Sequence, residues 1–239
     1  MNRKNKNILL FSGGLDSFIA WHYLNYPPVL FMDAGQSYAK KELETVEYFA
    51  QKYKNMKLEI NNSLNLSRWE EKNYYIPYRN VLFSMIGSLY APRIYLVGIK
   101  GDSVDDNNPT ATKLMSKFFI NFNYNKNIII TSPFYQKSKS QIVRWYLKQK
   151  LPIQELLRTR SCYDKDSQGH CGKCGSCFRR WVALENNNIK QEYDSPPWEW
   201  VEVKNYIRKM KAGLYDKERT RETLYALKKY IKLNIKHKQ

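Results

Sequence analysis

Short apolar runs alternate along the chain with longer stretches in which apolar residues recur at helical spacing. Five apolar runs predict buried strands, at residues 8–11, 29–32, 56–60, 94–99 and 128–131. The stretches between them predict helices and include residues 18–24, 40–53, 79–90, 113–119 and 138–150. Such alternation is typical of a parallel sheet covered by helices on both faces. The pattern therefore predicts an α/β fold with a doubly wound parallel sheet.

The first predicted strand runs directly into a glycine-rich turn and then into a helix. The turn consists of Ser12, Gly13, Gly14, Leu15, Asp16 and Ser17. Two glycines let the backbone turn sharply and approach a ligand, and free N–H groups at the helix start favour a phosphate or pyrophosphate. Neither a Walker A lysine nor a G-x-G-x-x-G motif is present. The turn is therefore either an anion cradle or an ordinary connection capped by Asp16 or Ser12.

Polar and glycine residues follow the predicted strands at three places, residues 12–17, 33–36 and 98–102. The carboxyl ends of parallel strands meet at one edge of the sheet, and ligands bind beyond that edge. We therefore expect these three segments to contribute to one binding site.

All four cysteines of the chain, Cys162, Cys171, Cys174 and Cys177, fall within one short segment. The last three repeat as C-x-x-C-x-x-C, a spacing that brings thiolates to one tetrahedral metal ion, with Cys162 closing the fourth position. Four sulfur ligands predict a closed structural Zn²⁺ site. An iron–sulfur cluster also uses four thiolates. Two disulfides are the remaining alternative, and they require an oxidising compartment.

Composition indicates a basic protein, because 40 lysines and arginines stand against 22 acidic residues and give a formal net charge of +18. No apolar run is long enough to span a membrane. The apolar run near the N-terminus is too short for a signal peptide. We therefore expect a cytoplasmic protein that does not enter the membrane.

Nearly half of the excess positive charge lies in the tail, residues 205–239, which has eleven basic and three acidic residues. Within the tail, Leu224, Leu227 and Ile231 recur at helical spacing. One interpretation is a solvated helix that docks through this apolar stripe. The other is a surface that binds an anionic macromolecule, such as a nucleic acid or an acidic protein.

The Ser-Gly-Gly-Leu-Asp-Ser turn resembles the PP-loop of the ATP pyrophosphatases, and the cysteine segment narrows the resemblance to the 7-cyano-7-deazaguanine synthase family. Further segments follow in the family's order. They are Asp33-Ala34-Gly35-Gln36, Arg79-Asn80, Val97-Gly98, Ser132-Pro133-Phe134 with Lys137 and Lys139, and Arg179-Arg180. The resemblance covers roughly residues 7–185 and implies a PP-loop, HUP-like fold with a C-terminal zinc-binding loop, followed here by a helical tail.

The resemblance implies an ATP-dependent C–N ligase that adenylates 7-carboxy-7-deazaguanine, releases AMP and pyrophosphate, and uses ammonia to form the amide and then the nitrile. The expected ATP-binding residues are Ser12, Gly13, Gly14, Leu15, Asp16, Ser17 and Gly98. Asp16 is expected to hold Mg²⁺, and Gln36, Arg79 and Asn80 are expected to bind the deazaguanine. The expected catalytic residues are Asp16, Arg79 and Lys137, with Lys139 as the alternative lysine.

One segment departs from the family, which has a Y-P-D-C-R-like string that helps to hold the deazaguanine. This chain reads N-N-P-T-A-T there, so that Thr110 and Thr112 replace the acid and the arginine. Either Asp102, Asp105 or Asp106 supplies the missing carboxylate, or the substrate differs. The change favours an alternative in which the activated acid is coupled to a protein amine, as in related proteins associated with anti-phage defence. A zinc-containing nucleic-acid binder with an inactive PP-loop is the non-enzymatic alternative.

Three regions are predicted along the chain. They are an ATP-binding α/β domain over residues 1–160, a four-cysteine zinc-binding region over 161–187 and a basic helical extension over 188–239. The predicted partners are ATP, a deazaguanine carboxylate and an anionic macromolecule at the tail, with a homodimer left open.

Overall fold

The computed structural model describes residues 5–102, 105–122 and 127–231. Its centre is a five-stranded parallel sheet in the order β3-β2-β1-β4-β5. The strands are β1 (Asn7–Leu10), β2 (Val29–Met32), β3 (Leu58–Asn61), β4 (Arg93–Tyr95) and β5 (Ile129–Thr131). The chain moves outward from β1 to β3, crosses to the other side of β1, and continues to β5. This topology confirms the predicted doubly wound parallel sheet.

Nine α-helices occur among the described residues. They are α1 (Leu15–Tyr23), α2 (Ala39–Lys52), α3 (Arg79–Tyr90), α4 (Pro109–Phe122), α5 (Lys139–Lys148), α6 (Ile153–Arg158), α7 (Gly175–Glu185), α8 (Val203–Lys211) and α9 (Lys217–Leu227). None of these helices has both the length and the apolar character needed to cross a membrane.

Side chains from the strands alternate between two hydrophobic cores, one on each face of the sheet. Leu9 and Val29 belong to a core shared with α1, α2, α5, α6 and α7. Their neighbours Ile8 and Leu30 belong to a second core shared with α3 and α4. All four side chains are fully buried. Because both faces are covered, the strands read as continuous apolar runs, as expected for a parallel sheet.

Several elements differ in length from their predictions, and β4 and α4 show the physical reasons. The strand predicted over 94–99 is present only as β4. Beyond β4, the Ser132 hydroxyl replaces the hydrogen bonds of a neighbouring strand, since its Oγ accepts from the Gly98 N–H (3.1 Å) and donates to the Gly98 carbonyl (2.6 Å). The helix predicted over 113–119 already begins at Pro109. Asn108 Oδ1 accepts from the Ala111 N–H at 2.9 Å, and proline suits the first helical turn because that turn needs no N–H.

The tail folds back onto α7 through a third, smaller core. Leu227 is fully buried there with Phe178 and Val182 of α7, and Ile231 packs against the same cluster. Two members of the predicted stripe, Leu227 and Ile231, therefore dock, whereas Leu224 is not part of this cluster. Residues 232–239 of the tail lie outside the described residues.

Candidate active site and metal centre

A cavity of about 260 Å³ lies beyond the carboxyl ends of β1 and β4, where the strand order reverses direction. In open parallel sheets this crevice is the usual ligand site. Its polar lining consists of Ser12, Asp16, Ser17, Gln36, Glu42, Arg79, Asn80, Asp102, Asn107, Lys139, Arg160, Ser161, Tyr163, Ser176 and Arg179. Segments 12–17, 33–36 and 98–102, predicted to share one site, all contribute side chains to this cavity.

The glycine-rich turn after β1 forms one wall of the cavity. Gly13 has φ of +69°, and a Cβ at this position would lie 3.0 Å from Thr45 Cγ2, so the turn requires glycine here. Gly14 is the N-cap residue of α1, and no side chain among the described residues caps the helix. Ser17 Oγ donates to the Gly14 carbonyl (3.1 Å) and lies 3.5 Å from Ser12 Oγ. Two hydroxyls and an uncapped helix start therefore face one space, as an anion requires.

Two ion pairs bring charges from distant parts of the chain to this wall. Lys139 Nζ pairs with Asp16 Oδ2, and the Arg179 guanidinium pairs with Asp102 Oδ1. Lys139 opens α5, whose start is fixed by a capping box in which Ser138 accepts from the Gln141 N–H. Two cations consequently stand beside the cradle.

Burial affects the charges of these groups differently. It lowers the pKa of Lys139, although the neighbouring Asp16 carboxylate opposes the shift. Burial alone would raise the pKa of Asp102, but the positive charges of Arg179 and Lys139 outweigh it and hold that pKa below its usual range. Asp102 is therefore an anion that keeps Arg179 in place.

The opposite wall of the cavity is a polar pocket with a protonatable carboxyl group. Gln36 Nε2 lies 3.3 Å from Glu42 Oε2, and Gln36 Oε1 accepts from the Ala34 N–H at 2.9 Å. Burial raises the pKa of Glu42 to about 7, against the smaller opposing effects of Arg79 and Gln36. Arg79 donates to the hydroxyl of Tyr38. This wall offers donors and acceptors at fixed positions, as recognition of a heterocycle requires.

Several predicted site residues lie outside the cavity lining. Lys137 does not line it, whereas Lys139 does, so the geometry favours Lys139 of the two lysines. Gly98 does not line it either, although it lies behind the wall. A Cβ on Gly98 would lie 2.6 Å from both Asn107 Oδ1 and Tyr135 Cε1. Glycine at this position therefore allows close packing, and its contact with ATP stays a prediction.

In the altered segment, Thr110 and Thr112 lie outside the cavity lining, whereas Asn107 is part of it. Thr112 is buried within α4, where its hydroxyl donates to the Asn108 carbonyl at 3.1 Å. Asn80 lines the cavity, but Asp106 binds it, since Asn80 Nδ2 donates to Asp106 Oδ1 at 2.8 Å. Of the three carboxylates considered as replacements, Asp102 alone lines the cavity, and it is paired with Arg179.

The four cysteines meet beside the cavity with the geometry of a metal centre. Their Sγ atoms all lie within 4.8 Å of one another, and Cys171 Sγ is 3.9 Å from Cys177 Sγ. A tetrahedral Zn²⁺ with bonds of about 2.3 Å separates its sulfur ligands by about 3.8 Å. All four are free thiols, so the structure contradicts the two-disulfide alternative. His170 takes no part, because its two ring nitrogens lie beside the Ser161 N–H and Gln191 Nε2.

Backbone N–H groups converge on the sulfur atoms. Cys162 Sγ accepts from the Cys171 N–H (3.4 Å), Cys171 Sγ from the Lys173 N–H (3.3 Å) and Cys174 Sγ from the Cys177 N–H (3.4 Å). Such donors stabilise thiolates and orient metal ligands. Cys174 is also the N-cap residue of α7, the helix that carries Arg179. The metal centre and the cavity are thereby parts of one structural unit.

Two buried arginines connect the cysteine segment to the rest of the protein. Arg160 donates to four carbonyls of the segment, those of Asp164, Ser167, Gln168 and Gly169, while its own N–H donates to the Gly13 carbonyl at 3.0 Å. Arg180 is fully buried and donates to Thr159 Oγ1 at 2.6 Å and to the Leu156 carbonyl at 3.0 Å. The glycine turn and the cysteine segment are therefore directly linked.

Sequence reasoning missed several lining residues, namely Arg160, Ser161, Tyr163 and Ser176. All four lie within two residues of a cysteine. This proximity was the available signal, because a rigid metal centre fixes the backbone on either side of each ligand.

A parallel α/β sheet with a glycine-rich turn at its reversal point, and with neither a Walker A lysine nor a G-x-G-x-x-G motif in the sequence, agrees with the class of PP-loop proteins. The family model described as Queuosine biosynthesis protein QueC matches residues 54–188, more than half of the chain. The protein therefore belongs to the QueC family.

This chain resembles curated proteins over almost the whole length of those proteins. A 7-cyano-7-deazaguanine synthase of Methanosarcina barkeri is 27% identical over 226 residues, which cover 77% of this chain and 96% of the relative. Proteins of the same name from Methanocaldococcus jannaschii (27% identical, 75% and 94% covered) and Prochlorococcus marinus (28% identical, 80% and 99% covered) match similarly.

Proposed function

We propose that the protein is an ATP-dependent ligase that converts 7-carboxy-7-deazaguanine and ammonia into 7-cyano-7-deazaguanine, with release of AMP and pyrophosphate. The observation that carries this proposal is the cavity, in which the anion cradle, two cations and the polar pocket open into one space. Family membership and the names of the relatives support the same substrate.

The proposed chemistry solves the problem that a carboxylate is a poor electrophile. A carboxylate oxygen attacks the α-phosphorus of ATP, and the bond to pyrophosphate breaks. Ammonia then adds to the acyl carbon, AMP leaves with that oxygen, and the nitrogen loses a proton to give the amide. The amide oxygen attacks a second ATP in the same way. Departure of this AMP and loss of two protons from nitrogen give the nitrile.

The chain's own residues would hold the departing pyrophosphate. The hydroxyls of Ser12 and Ser17 and the N–H groups at the start of α1 form the cradle, while Lys139 and Arg179 supply positive charge beside it. Donors that are fixed before the reaction stabilise developing charge without reorganisation at the moment of bond breaking. We assign the lysine role to Lys139 because it lines the cavity.

Asp16 suits a magnesium ion. Its Oδ1 is buried and has no hydrogen-bond partner among the described residues, while Oδ2 pairs with Lys139. A hard carboxylate oxygen is the ligand that Mg²⁺ prefers. When bound, the ion would neutralise phosphate charge. Asp16 would orient it through Oδ1 while keeping Lys139 in place.

The four thiols suit a structural Zn²⁺. The set is closed, with four sulfur ligands and no position left for substrate, and backbone donors already face the sulfur atoms. Its role would be to fix the start of α7 and therefore the position of Arg179.

For the substrate, we propose that Gln36, Glu42 and Arg79 contact the deazaguanine acid or the nucleotide. Arg79 is the cation of this wall, and its guanidinium can bind a carboxylate or phosphate through two parallel hydrogen bonds. Asn80 contributes less to recognition because Asp106 occupies its side-chain amide.

A second candidate keeps the adenylation but uses a protein amine as the acceptor. The observation that favours it is the altered segment, in which Thr112 is buried in α4 and Thr110 is exposed, away from the cavity. Because these residues differ from the family's, the activated acid can also be one that is passed to an acceptor other than ammonia.

Mass spectrometry of the products distinguishes the two candidates. The full-length protein is incubated with ATP, Mg²⁺, 7-carboxy-7-deazaguanine and ammonium, and separately with a small primary amine in place of ammonium. We expect the amide and then the nitrile from ammonium, with AMP and pyrophosphate. Efficient capture by the primary amine and no nitrile would favour the second candidate, and ADP with phosphate would contradict both.

A further inference from the structure

Helix α9 lies outside the segment that matches the family model, yet it contacts three elements that carry charged groups of the cavity. These elements are the loop 99–102 with Asp102, the start of α5 with Lys139, and α7 with Arg179. The contacts with the loop and with the start of α5 come from the first turns of α9, which Asp216 caps by accepting from the N–H groups of Glu218 (2.9 Å) and Arg219 (3.0 Å). The last turn of α9 packs against α7 through Leu227.

The first contact is between Arg219 and the loop that carries Asp102. Arg219 Nη1 donates to the Gly101 carbonyl at 2.8 Å, and its guanidinium lies 4.5 Å from the centre of the Tyr215 ring. Gly101 has φ of +80°, and a Cβ there would lie 3.2 Å from Arg219 Cβ. The loop therefore has the conformation and the space to receive α9.

Two glutamates of α9 hold the start of α5. Glu222 Oε1 accepts from Ser138 Oγ at 2.5 Å, and Glu218 accepts from Gln141 Nε2 at 3.0 Å and from Lys100 Nζ at 3.3 Å. Ser138 and Gln141 form the capping box that encloses Lys139, the first residue of α5. The position of Lys139 thus depends on both its own helix cap and α9.

We propose that α9 is a brace for the charged wall of the active site, with Arg219 as its principal positioning residue. This inference rests on the proposed function. Arg219 holds Gly101, the loop holds Asp102 against Arg179, and Arg179 is thereby aimed at the departing pyrophosphate. The charged residues of α9 that face the protein therefore support adenylation by positioning Arg179 and Lys139. The tail is consequently required even when the acceptor is free ammonia.

The test compares three full-length variants in AMP formation with ammonium as acceptor. Arg219→Ala should lower kcat about tenfold with little change in the KM for ATP, because small misplacement of a catalytic charge costs rate. Arg219→Lys keeps a donor for the Gly101 carbonyl and should recover part of the loss. Arg208→Ala removes the same charge from an exposed site of the tail, where Arg208 bonds only Asn205 among the described residues, and should leave kcat unchanged.

A second readout does not depend on turnover. The guanidinium Nε–Hε signal of Arg179 in a ¹H–¹⁵N NMR spectrum is assigned by its disappearance in Arg179→Lys. It should shift or broaden in Arg219→Ala and stay unchanged in Arg208→Ala, with both proteins folded at the assay temperature.

The outcomes separate this inference from the proposed function. An unperturbed Arg179 signal together with normal kcat in Arg219→Ala would overturn the brace and leave the ligase intact. A perturbed Arg179 signal in a protein whose wild type forms no AMP would support the brace and overturn the proposed function.

Discussion

The cysteine cluster and the charged cavity lie side by side, but they balance their charges in different ways. In the cluster, the donors to sulfur found among the described residues are backbone N–H groups, so four thiolates would repel one another without a cation. The cavity contains opposite charges that already pair, Asp16 with Lys139 and Asp102 with Arg179.

This difference separates what the fold needs from what the reaction needs. A metal that neutralises the thiolates contributes its binding free energy to folding. The paired cavity requires no ligand to be stable, and its groups can exchange partners when a pyrophosphate arrives. We therefore expect damage to the cluster to unfold the protein and damage to the cavity to inactivate a folded protein.

The largest effect should follow loss of a metal ligand. Cys174→Ser removes a metal-binding thiolate, although its hydroxyl can still cap α7, and it should lower the zinc content from one per chain to near zero. The melting temperature should fall by about 10 °C or more. Elemental analysis and calorimetry measure the two effects. Lys173→Ala, an exposed neighbour, is the control and should keep its metal. Iron with sulfide in place of zinc, or a fold indifferent to metal, would contradict this half of the comparison.

Within the cavity, Asp16→Asn should have the opposite signature. It removes the carboxylate that faces Lys139 and the proposed Mg²⁺, so AMP formation should fall by about 100-fold or more. Zinc content should stay the same because no cysteine contact changes. Coupled detection of AMP and pyrophosphate measures the loss, and Asp166→Asn, an exposed acid outside the cavity lining, is the control. Loss of metal from Asp16→Asn would contradict the proposal that the cysteine cluster serves folding and the cavity serves the reaction.

A smaller effect is expected behind the cavity wall. Gly98→Ala places a Cβ 2.6 Å from Asn107 Oδ1 and Tyr135, so it should lower the free energy of unfolding by about 1–3 kcal/mol. Gly169→Ala is a matched control, since no atom lies within 4 Å of the added Cβ. Urea denaturation measures both variants. Equal free energies of unfolding for Gly98→Ala and Gly169→Ala would show that the residues around Gly98 move aside for the added Cβ at little cost.

The smallest effect concerns pH. Burial raises the pKa of Glu42 from 4.5 to about 7, so the folded protein holds this proton more tightly than the unfolded chain. This contribution to stability is complete below pH 4.5 and is lost as the pH rises through about 7. Glu42→Gln, which cannot titrate, should remove that part of the pH dependence. Denaturation curves from pH 4 to pH 8 measure the difference, and parallel profiles for the two proteins would refute the assignment.

How much of this could be predicted from the sequence depends on how local each feature is. The cysteine segment is continuous, so residue types and spacing were sufficient to predict a metal centre. The glycine turn is continuous too, but its residues alone left an anion cradle and an ordinary capped connection as alternatives. The strands were predictable because burial on both faces makes each one a short apolar run.

The partners within the cavity were less predictable because they come from separate segments. Nothing in the sequence near Asp102 indicates that Arg179 is its partner, and both Lys137 and Lys139 were compatible with the pattern. The capping box at Ser138 was visible as residues but could not show which lysine faces the cavity. The charge of the tail was visible too, whereas the inward direction of Arg219 depends on tertiary packing.

Transfer of oxygen isotope tests the central claim, adenylation of a carboxylate in this cavity, most directly. The protein is incubated with ATP, ammonium and 7-carboxy-7-deazaguanine labelled with ¹⁸O in both carboxylate oxygens, and AMP is analysed by mass spectrometry. Each adenylation should transfer one labelled oxygen to AMP, so that both labels appear in AMP for every nitrile formed. Unlabelled AMP, or ADP with phosphate in place of AMP, would contradict the account.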